Sequence, residues 1–224
     1  MYTPVTKENL ASNRWHVYSK KIRREVRLQG DLEYDHWVLI ETDPLVQTFC
    51  EKPREIIHFF DGKPIKSVFD MWIKRRDGAE EFVAVHYSYE MDTHHKRRNA
   101  SAVEKVKSQE QWCQEHRYLY SMKRENEIRS NPILLENKKL LLPYIRESAF
   151  SNMDETVVKA IKYKINNGCT NVRQIENELH SFQKEKVRRL IFTLMVEGLL
   201  NSNIDQIPIG HHTEVFLNGN ETSS

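Results

Sequence analysis

Residues 55–90 read EIIHFFDGKPIKSVFDMWIKRRDGAEEFVAVHYSYE, and their reading decides the fold. Three runs rich in β-branched and aromatic residues are separated by Asp61-Gly62 and Asp77-Gly78. Asp-Gly between such runs is the strongest short-range hairpin signal, because tight hairpin turns need backbone with positive φ. The stretch therefore predicts a two-turn β-meander. In the middle of its second run stands one acid, Asp70, with apolar neighbours on both sides. An acid in that position either turns to solvent or is kept for chemistry.

Working outward, Trp15–Tyr18 reads as a short strand or a docking hook, behind an N-terminal arm over residues 1–14. A basic stretch follows, and Asp31 is placed to cap a helix from Leu32 to about Glu41. Leu32, Trp37, Val38 and Ile40 form its apolar face, and Glu33 falls in its first turn, where the helix dipole favours a carboxylate. Thr42-Asp43-Pro44 stops the helix, and Val46–Glu51 reads as a strand. Beyond the meander, Ala100–His116 has helical spacing and Arg117–Met122 reads as another strand. Strand, helix, strand in that order predicts a parallel crossover added to the meander, hence a mixed α/β sheet. Pro132 near a first turn marks a further helix to about Tyr144.

The composition changes near residues 148–152. From there the order is helix (Asp154–Asn166), helix (Asn171–Leu179), helix (Gln183–Glu197) and hairpin (Leu199–Leu217). That is the order of a winged helix-turn-helix. The expected organisation is an arm at 1–14, a domain at 15–130, a connecting helix and linker at 131–150, a winged-helix-like domain at 151–218 and a disordered tail at 219–224.

The 224 residues are 39% apolar and 29% charged, an ordinary globular composition, and the net charge of +2 announces no polyanion partner. The basic residues are clustered, however. Lys20, Lys21, Arg23, Arg24 and Arg27 precede the first helix, and Lys96, Arg97 and Arg98 precede the long one. Local clusters matter more for nucleic acid than the total, although each also reads as a solvated face. Cys50, Cys113 and Cys169 lack metal-site or disulfide spacing, so reduced thiols in an intracellular protein are expected. No run has the length of a membrane span, and the N-terminus lacks the apolar core of a secretion signal. Glycine-rich phosphate loops and the Gly-x-Ser-x-Gly elbow are absent, which argues against nucleotide binding and serine hydrolysis.

Glu33 and Asp70 form the convergent acid pair. An early helix brings one carboxylate toward the mouth of a sheet and a strand offers the second. Two carboxylates beside a phosphate suit Mg²⁺, which takes oxygen ligands and keeps several waters.

With GDLEYDHWVLIETDP, then SVFDMWIKRRDG, EFVAVHYSYE and the helix AVEKVKSQEQWCQEH in this order, residues 15–128 resemble TnsA, the endonuclease subunit of heteromeric cut-and-paste transposons. The resemblance implies a restriction-endonuclease-like PD-(D/E)xK sheet flanked by helices. It implies metal ligands at Glu33 and Asp70, Mg²⁺ or Mn²⁺ as cofactor, and hydrolysis of the 5′ strand at transposon ends. It further implies a DDE transposase and an ATP-dependent regulator as partners, the latter through the C-terminal domain, and a bacterial cytoplasmic, nucleoid-associated location. The C-terminal part matches the family only in element order.

One departure is serious. The family's third strand carries a polar ligand, an apolar residue and a lysine, where this chain has Ala84, Val85 and His86. Alanine binds no metal, and an ordinary histidine is mostly neutral at pH 7. Lys74, four residues after Asp70, is one candidate replacement for the lysine, and His86 itself is another, as metal ligand or water-positioning base. The alternative is a degenerate, structural subunit bridging transposase, DNA and regulator. A further alternative is a winged-helix DNA-binding regulator, whose third helix offers Lys184, Lys186, Arg188 and Arg189 for phosphate contact.

Overall fold

The computed structural model describes residues 2–5, 13–92, 94–145 and 150–218. The expected tail at 219–224 lies outside the described residues. The chain divides into two compact units, Met1–Ile40 with Leu45–Ser130, and Glu41–Pro44 with Asn131–Ser224.

The first unit runs β1 (Arg14–Ser19), β2 (Arg24–Gln29), α1 (Asp31–Glu41), β3 (Val46–Glu51), β4 (Glu55–Phe60), β5 (Lys63–Val68), β6 (Met71–Arg75), β7 (Glu80–His86), α2 (Ser88–Met91), α3 (Ala100–Glu115), β8 (Leu119–Arg124) and α4 (Glu125–Ile128). It is a mixed α/β unit. Its sheet has the strand order β3-β6-β7-β8, antiparallel except for the β7–β8 pair, which is parallel. Parallel neighbours need a long crossover, and α3 supplies it. Phe69, Trp72, Phe82 and Trp112 form the aromatic core under α3, with Phe69 and Phe82 rings 4.5 Å apart. All four apolar residues expected to form the face of α1 are buried.

Three features of this unit differ from or go beyond what the sequence predicts. The meander is two hairpins rather than one sheet. β4–β5 stands as a separate two-stranded ribbon, while β6–β7 joins β3 and β8. Asp61 and Gly62 both have positive φ, 49° and 74°, as an Asp-Gly hairpin turn requires. Asp70 consequently lies in the junction between the hairpins, not inside a strand. Second, the basic stretch after Tyr18 forms the turn and second strand of the β1–β2 hairpin. Third, residues 2–5 of the arm are docked. Tyr2 meets Trp72 and Phe82 edge-on, and the Val5 N–H donates to the Lys52 carbonyl at 2.8 Å. Residues 6–12 lie outside the described part.

The second unit contains α5 (Pro132–Leu141), a 3₁₀ turn (Leu142–Tyr144), α6 (Asn152–Asn166), α7 (Val172–Glu178), α8 (Lys184–Val196), β9 (Leu200–Ser202) and β10 (Val215–Leu217). Asn131, Ser151 and Asn171 cap α5, α6 and α7 with their side chains. α5 belongs to this unit rather than to a linker. The buried Asn137 amide donates to the Ile204 and Ile207 carbonyls and accepts from the Ile209 N–H. β9 and β10 pair antiparallel, and an Asn171–Glu214 bridge adds the start of α7 to them. Among the described residues no helix is long and apolar enough to cross a membrane.

Candidate active site

β3 and β6 run antiparallel, with Glu51 opposite Met71. Continuing that register past the strand ends sets Lys52 opposite Asp70, and the Lys52 N–H donates to the Asp70 carbonyl at 2.9 Å. The two side chains then meet. Lys52 Nζ donates to Asp70 Oδ1 at 2.5 Å and to Glu33 Oε1 at 2.8 Å. Glu33 arrives from the first turn of α1, and its other oxygen accepts from the Gln29 N–H at 2.9 Å. Asp70 Oδ2 accepts from the Val85 N–H at 2.8 Å, which ties the junction to β7. One ammonium thus joins the two acids singled out from the sequence. These groups line a cleft of about 720 Å³ together with Lys66, Ser67, Val68, His86, Tyr89, Glu90 and Lys105.

Lys52 was not among the sequence-derived site residues. Nothing in its neighbourhood, Glu51-Lys52-Pro53, distinguishes it from a strand-end lysine. The one signal that would have found it is register, since an antiparallel β3–β6 pair puts residue 52 beside residue 70. Its backbone supports a special role, because φ is +43°, a region that side chains other than glycine adopt at a cost.

The charges are unequal. Burial pushes the Glu33 carboxyl up; Lys52 pulls it back and the Asp70 charge adds to the rise, leaving it above the usual carboxylate range. Burial acts the same way on Asp70, but Lys52, His86 and the Val85 N–H outweigh it and hold the group below that range. Burial also opposes the Lys52 charge, and Asp70 with Glu33 overcome it, so the ammonium is held well above its ordinary value. One ammonium serves two acids, and Asp70 takes most of its benefit. Glu33 is therefore the carboxyl that gains a proton first as pH falls.

His86 ends β7, and its Nδ1 lies 3.2 Å from Glu90 Oε2. Burial favours the neutral ring, yet the Glu90 hydrogen bond and the Asp70 charge outweigh it and raise the imidazole pKa. The shift favours the protonated ring, opposite to the effect of burial alone. Its contribution to stability is present below the ordinary imidazole pKa and is lost as pH rises through the raised value. Followed by NMR, the His86 ring is expected to titrate above ~6.5, and Glu90→Gln is expected to bring the midpoint down. An unshifted midpoint in the wild type would remove the ring as a cation of the site.

Lys74 does not reach this site. Its Nζ bonds Glu80 Oε1 at 2.9 Å across the β6–β7 hairpin, because four residues of strand carry it about 13 Å from Asp70. Ala84 is buried at 1% exposure and supplies no donor. Among the described residues no group of three or more histidine, cysteine, aspartate or glutamate side chains is arranged to hold a metal. Glu33 and Asp70 carry the oxygen donors that Mg²⁺ takes, and their Oε1 and Oδ1 are held by the Lys52 ammonium.

Among the expected DNA-contacting residues, Lys21 and Arg24 bond to groups inside the unit. Lys21 Nζ donates to the Ile40 and Val46 carbonyls, and Arg24 makes a two-pronged pair with the buried Glu51 at 2.6 and 2.5 Å. Lys20 lies at the β1–β2 turn, where Arg23 adopts a φ of 54°. Arg27 is exposed, as are Lys96, Arg97 and Arg98 in the turn before α3. In the second unit the basic residues of α8 are largely turned to internal partners. Lys186 and Arg189 meet Asp154, Arg188 meets the buried Glu176, and Lys184 meets Asn177. His211 has its Nδ1 3.2 Å from Glu176 Oε2. Cys50 and Cys113 are buried free thiols, raised to about 11 and about 12 by that burial, and are inert.

No protein-family model matches the chain, and no curated protein matches it.

Proposed function

We propose that the first unit is a TnsA-like, restriction-endonuclease-like DNA phosphodiesterase that cuts the 5′ strand at transposon ends beside a DDE transposase. The observation that carries this reading is the Glu33–Lys52–Asp70 cluster in an open cleft at the end of a mixed sheet. The element order supports it as well: α1, three antiparallel strands, α3 and a parallel fourth strand. In this reading Lys52 replaces the lysine that the third strand lacks, reaching the acids from the end of β3.

Glu33 and Asp70 would hold Mg²⁺ or Mn²⁺, and such an ion, when bound, activates water and stabilises charge on the phosphate. The chain's own groups do the rest. Lys52 presents an ammonium to a non-bridging phosphate oxygen or to the attacking water, and its raised pKa keeps it charged. As water adds to phosphorus, one phosphorus–oxygen ester bond breaks and the leaving oxygen needs a proton. His86 has its Nδ1 held by Glu90, so Nε2 is the atom that can carry one.

The test is strand cleavage by purified protein with its transposase, end DNA and Mg²⁺ or Mn²⁺. A 5′ cut is expected, with Asp70→Ala and Glu33→Ala each reducing it by about 10³-fold or more. No cut by the wild type under any of these conditions would end the nuclease reading.

One observation favours the structural-subunit reading. Lys52 already neutralises much of the acid pair, as the core of a disabled site would. If that is its whole role, the full complex assembles on end DNA unchanged by Asp70→Asn, and neither metal alters the stability of the chain.

A further inference from the structure

The β4–β5 ribbon carries apolar side chains on both of its faces. Its inner face lies on α3. There Ile56 and Ser67 are buried, His58 lies 3.6 Å from Glu115, and Lys107 lies over the Phe60 ring. The outer face is where polar residues belong, yet it presents Ile57 at 64% exposure and Phe59 at 66%. They stand two residues apart on one side of β4. Pro64, also exposed, is directly opposite Phe59, and Lys66 is opposite Ile57. Scattered exposed apolar residues are ordinary, whereas three neighbours on one ribbon face form a surface with a use.

The ribbon leads into the candidate active site. Lys66, Ser67 and Val68 of β5 line the same cleft as Glu33, Lys52 and Asp70. Pro64 is four residues from Val68, about 13 Å along the strand. A duplex advances 3.4 Å per base pair along each strand, so the apolar tip stands about four base-pair steps from the cleft. Lys105 of α3 lines the cleft beside Lys66, and Lys63 is exposed at the ribbon's turn. Lys66 pairs with Glu55 at 2.7 Å, while Lys105 and Lys63 place an ammonium group at each end of the path from cleft to tip, which suits a phosphate backbone better than an apolar protein partner.

We propose that the β4–β5 ribbon is a duplex-DNA contact, laying its outer face in the minor groove and wedging Phe59 at a base step about four pairs from the cut phosphate. It rests on the strand-cutting reading of the cleft. Phenylalanine, isoleucine and proline are the side chains that minor-groove proteins insert between base steps, where the cost of unstacking is offset by a bent duplex that meets more protein surface. The wedge would open the duplex beside the cleft and bring the scissile phosphate to Lys52.

The full chain is to be titrated by fluorescence anisotropy against a labelled random-sequence duplex, as wild type and as Ile57→Ser with Phe59→Ala. The variant is expected to bind about tenfold more weakly with an unchanged salt dependence, because stacking is lost and phosphate contacts are not. Both side chains are exposed, so the thermal melt should be unaltered. A duplex carrying 2-aminopurine at successive positions is expected to brighten on binding wild type and to stay dark with the variant. Equal affinity and equal brightening for the two proteins would overturn the wedge while leaving the DNA reading standing. A wild type that binds no duplex would overturn both. Unchanged DNA affinity with loss of self-association in sedimentation would reassign the patch to a protein contact and overturn the wedge.

Discussion

Lys52→Met is expected to destabilise the first unit by about 3 kcal/mol at pH 7 in urea unfolding, and to abolish strand cleavage in the same preparation. Removing the ammonium leaves two partly buried carboxylates without a counter-charge, and breaking such a pair costs more than never having made it. The deficit is expected to shrink with acidification, because protonating either acid relieves the repulsion. Adding Glu33→Gln and Asp70→Asn to Lys52→Met is expected to restore most of the stability and none of the cleavage. That contrast separates charge compensation from chemistry. If Lys52→Met were as stable as the wild type across this pH range, the cluster would not be a charge-compensated site.

The pH dependence of the wild type follows from the same three groups. The depressed Asp70 pKa contributes stability that is present above its ordinary, unfolded value and is lost as pH falls through the folded one. The raised Lys52 pKa contributes stability that is full below its ordinary value and is lost as pH rises through the folded one. Glu33 works against Asp70. Its raised pKa means that its contribution declines as pH rises from the ordinary carboxylate value through the folded one. The backbone adds a second check. At a φ of +43°, Lys52→Gly is expected to be more stable than Lys52→Ala by about 1 kcal/mol, although both lack the ammonium.

Arg24→Met is the second large effect, and it is expected in stability rather than in DNA affinity. Glu51 is buried, and Arg24 meets both of its oxygens. Losing the guanidinium leaves an uncompensated buried charge, at about 3 kcal/mol. Arg24→Met with Glu51→Leu, a matched apolar pair, is expected to recover much of this. Arg27→Ala is the control. That side chain is exposed, so its stability should stay within about 0.5 kcal/mol of wild type. Its DNA affinity should fall with a salt slope smaller by about one. A DNA-binding loss for Arg24→Met at full stability would return Arg24 to the phosphate-contacting surface.

Arg24 shows how far composition reaches. Lys20 to Arg27 is a basic cluster in the sequence, but β1–β2 pairing decides which way each residue points. Alternation along β2 buries Val26 and Leu28 and exposes Arg27, while Arg24 at the strand's start reaches Glu51 at the end of β3. No linear spacing announces a contact between residues 27 positions apart. The same applies to α8, whose basic residues are counted easily from the sequence and yet are spent on Asp154 and Glu176.

Local chemistry determined much of this protein on its own. The Asp61-Gly62 turn, the apolar face of α1 and the strand–helix–strand order around α3 all rest on interactions between residues near in sequence, and they were legible there; the helix caps were not, since Asp31 accepts from the Asn13 and Trp15 side chains instead of capping α1. Glu33 and Asp70 were legible as acids set against apolar runs. Tertiary structure decided the rest. It split the meander after Val68, moved Asp70 into a junction, turned Lys74 toward Glu80 and brought Lys52 between the acids. Each of those outcomes depends on strand register. Register is set by packing summed over whole strands, so the residue that completes the site, Lys52, is specified by the β3–β6 pairing and not by its neighbours in the chain.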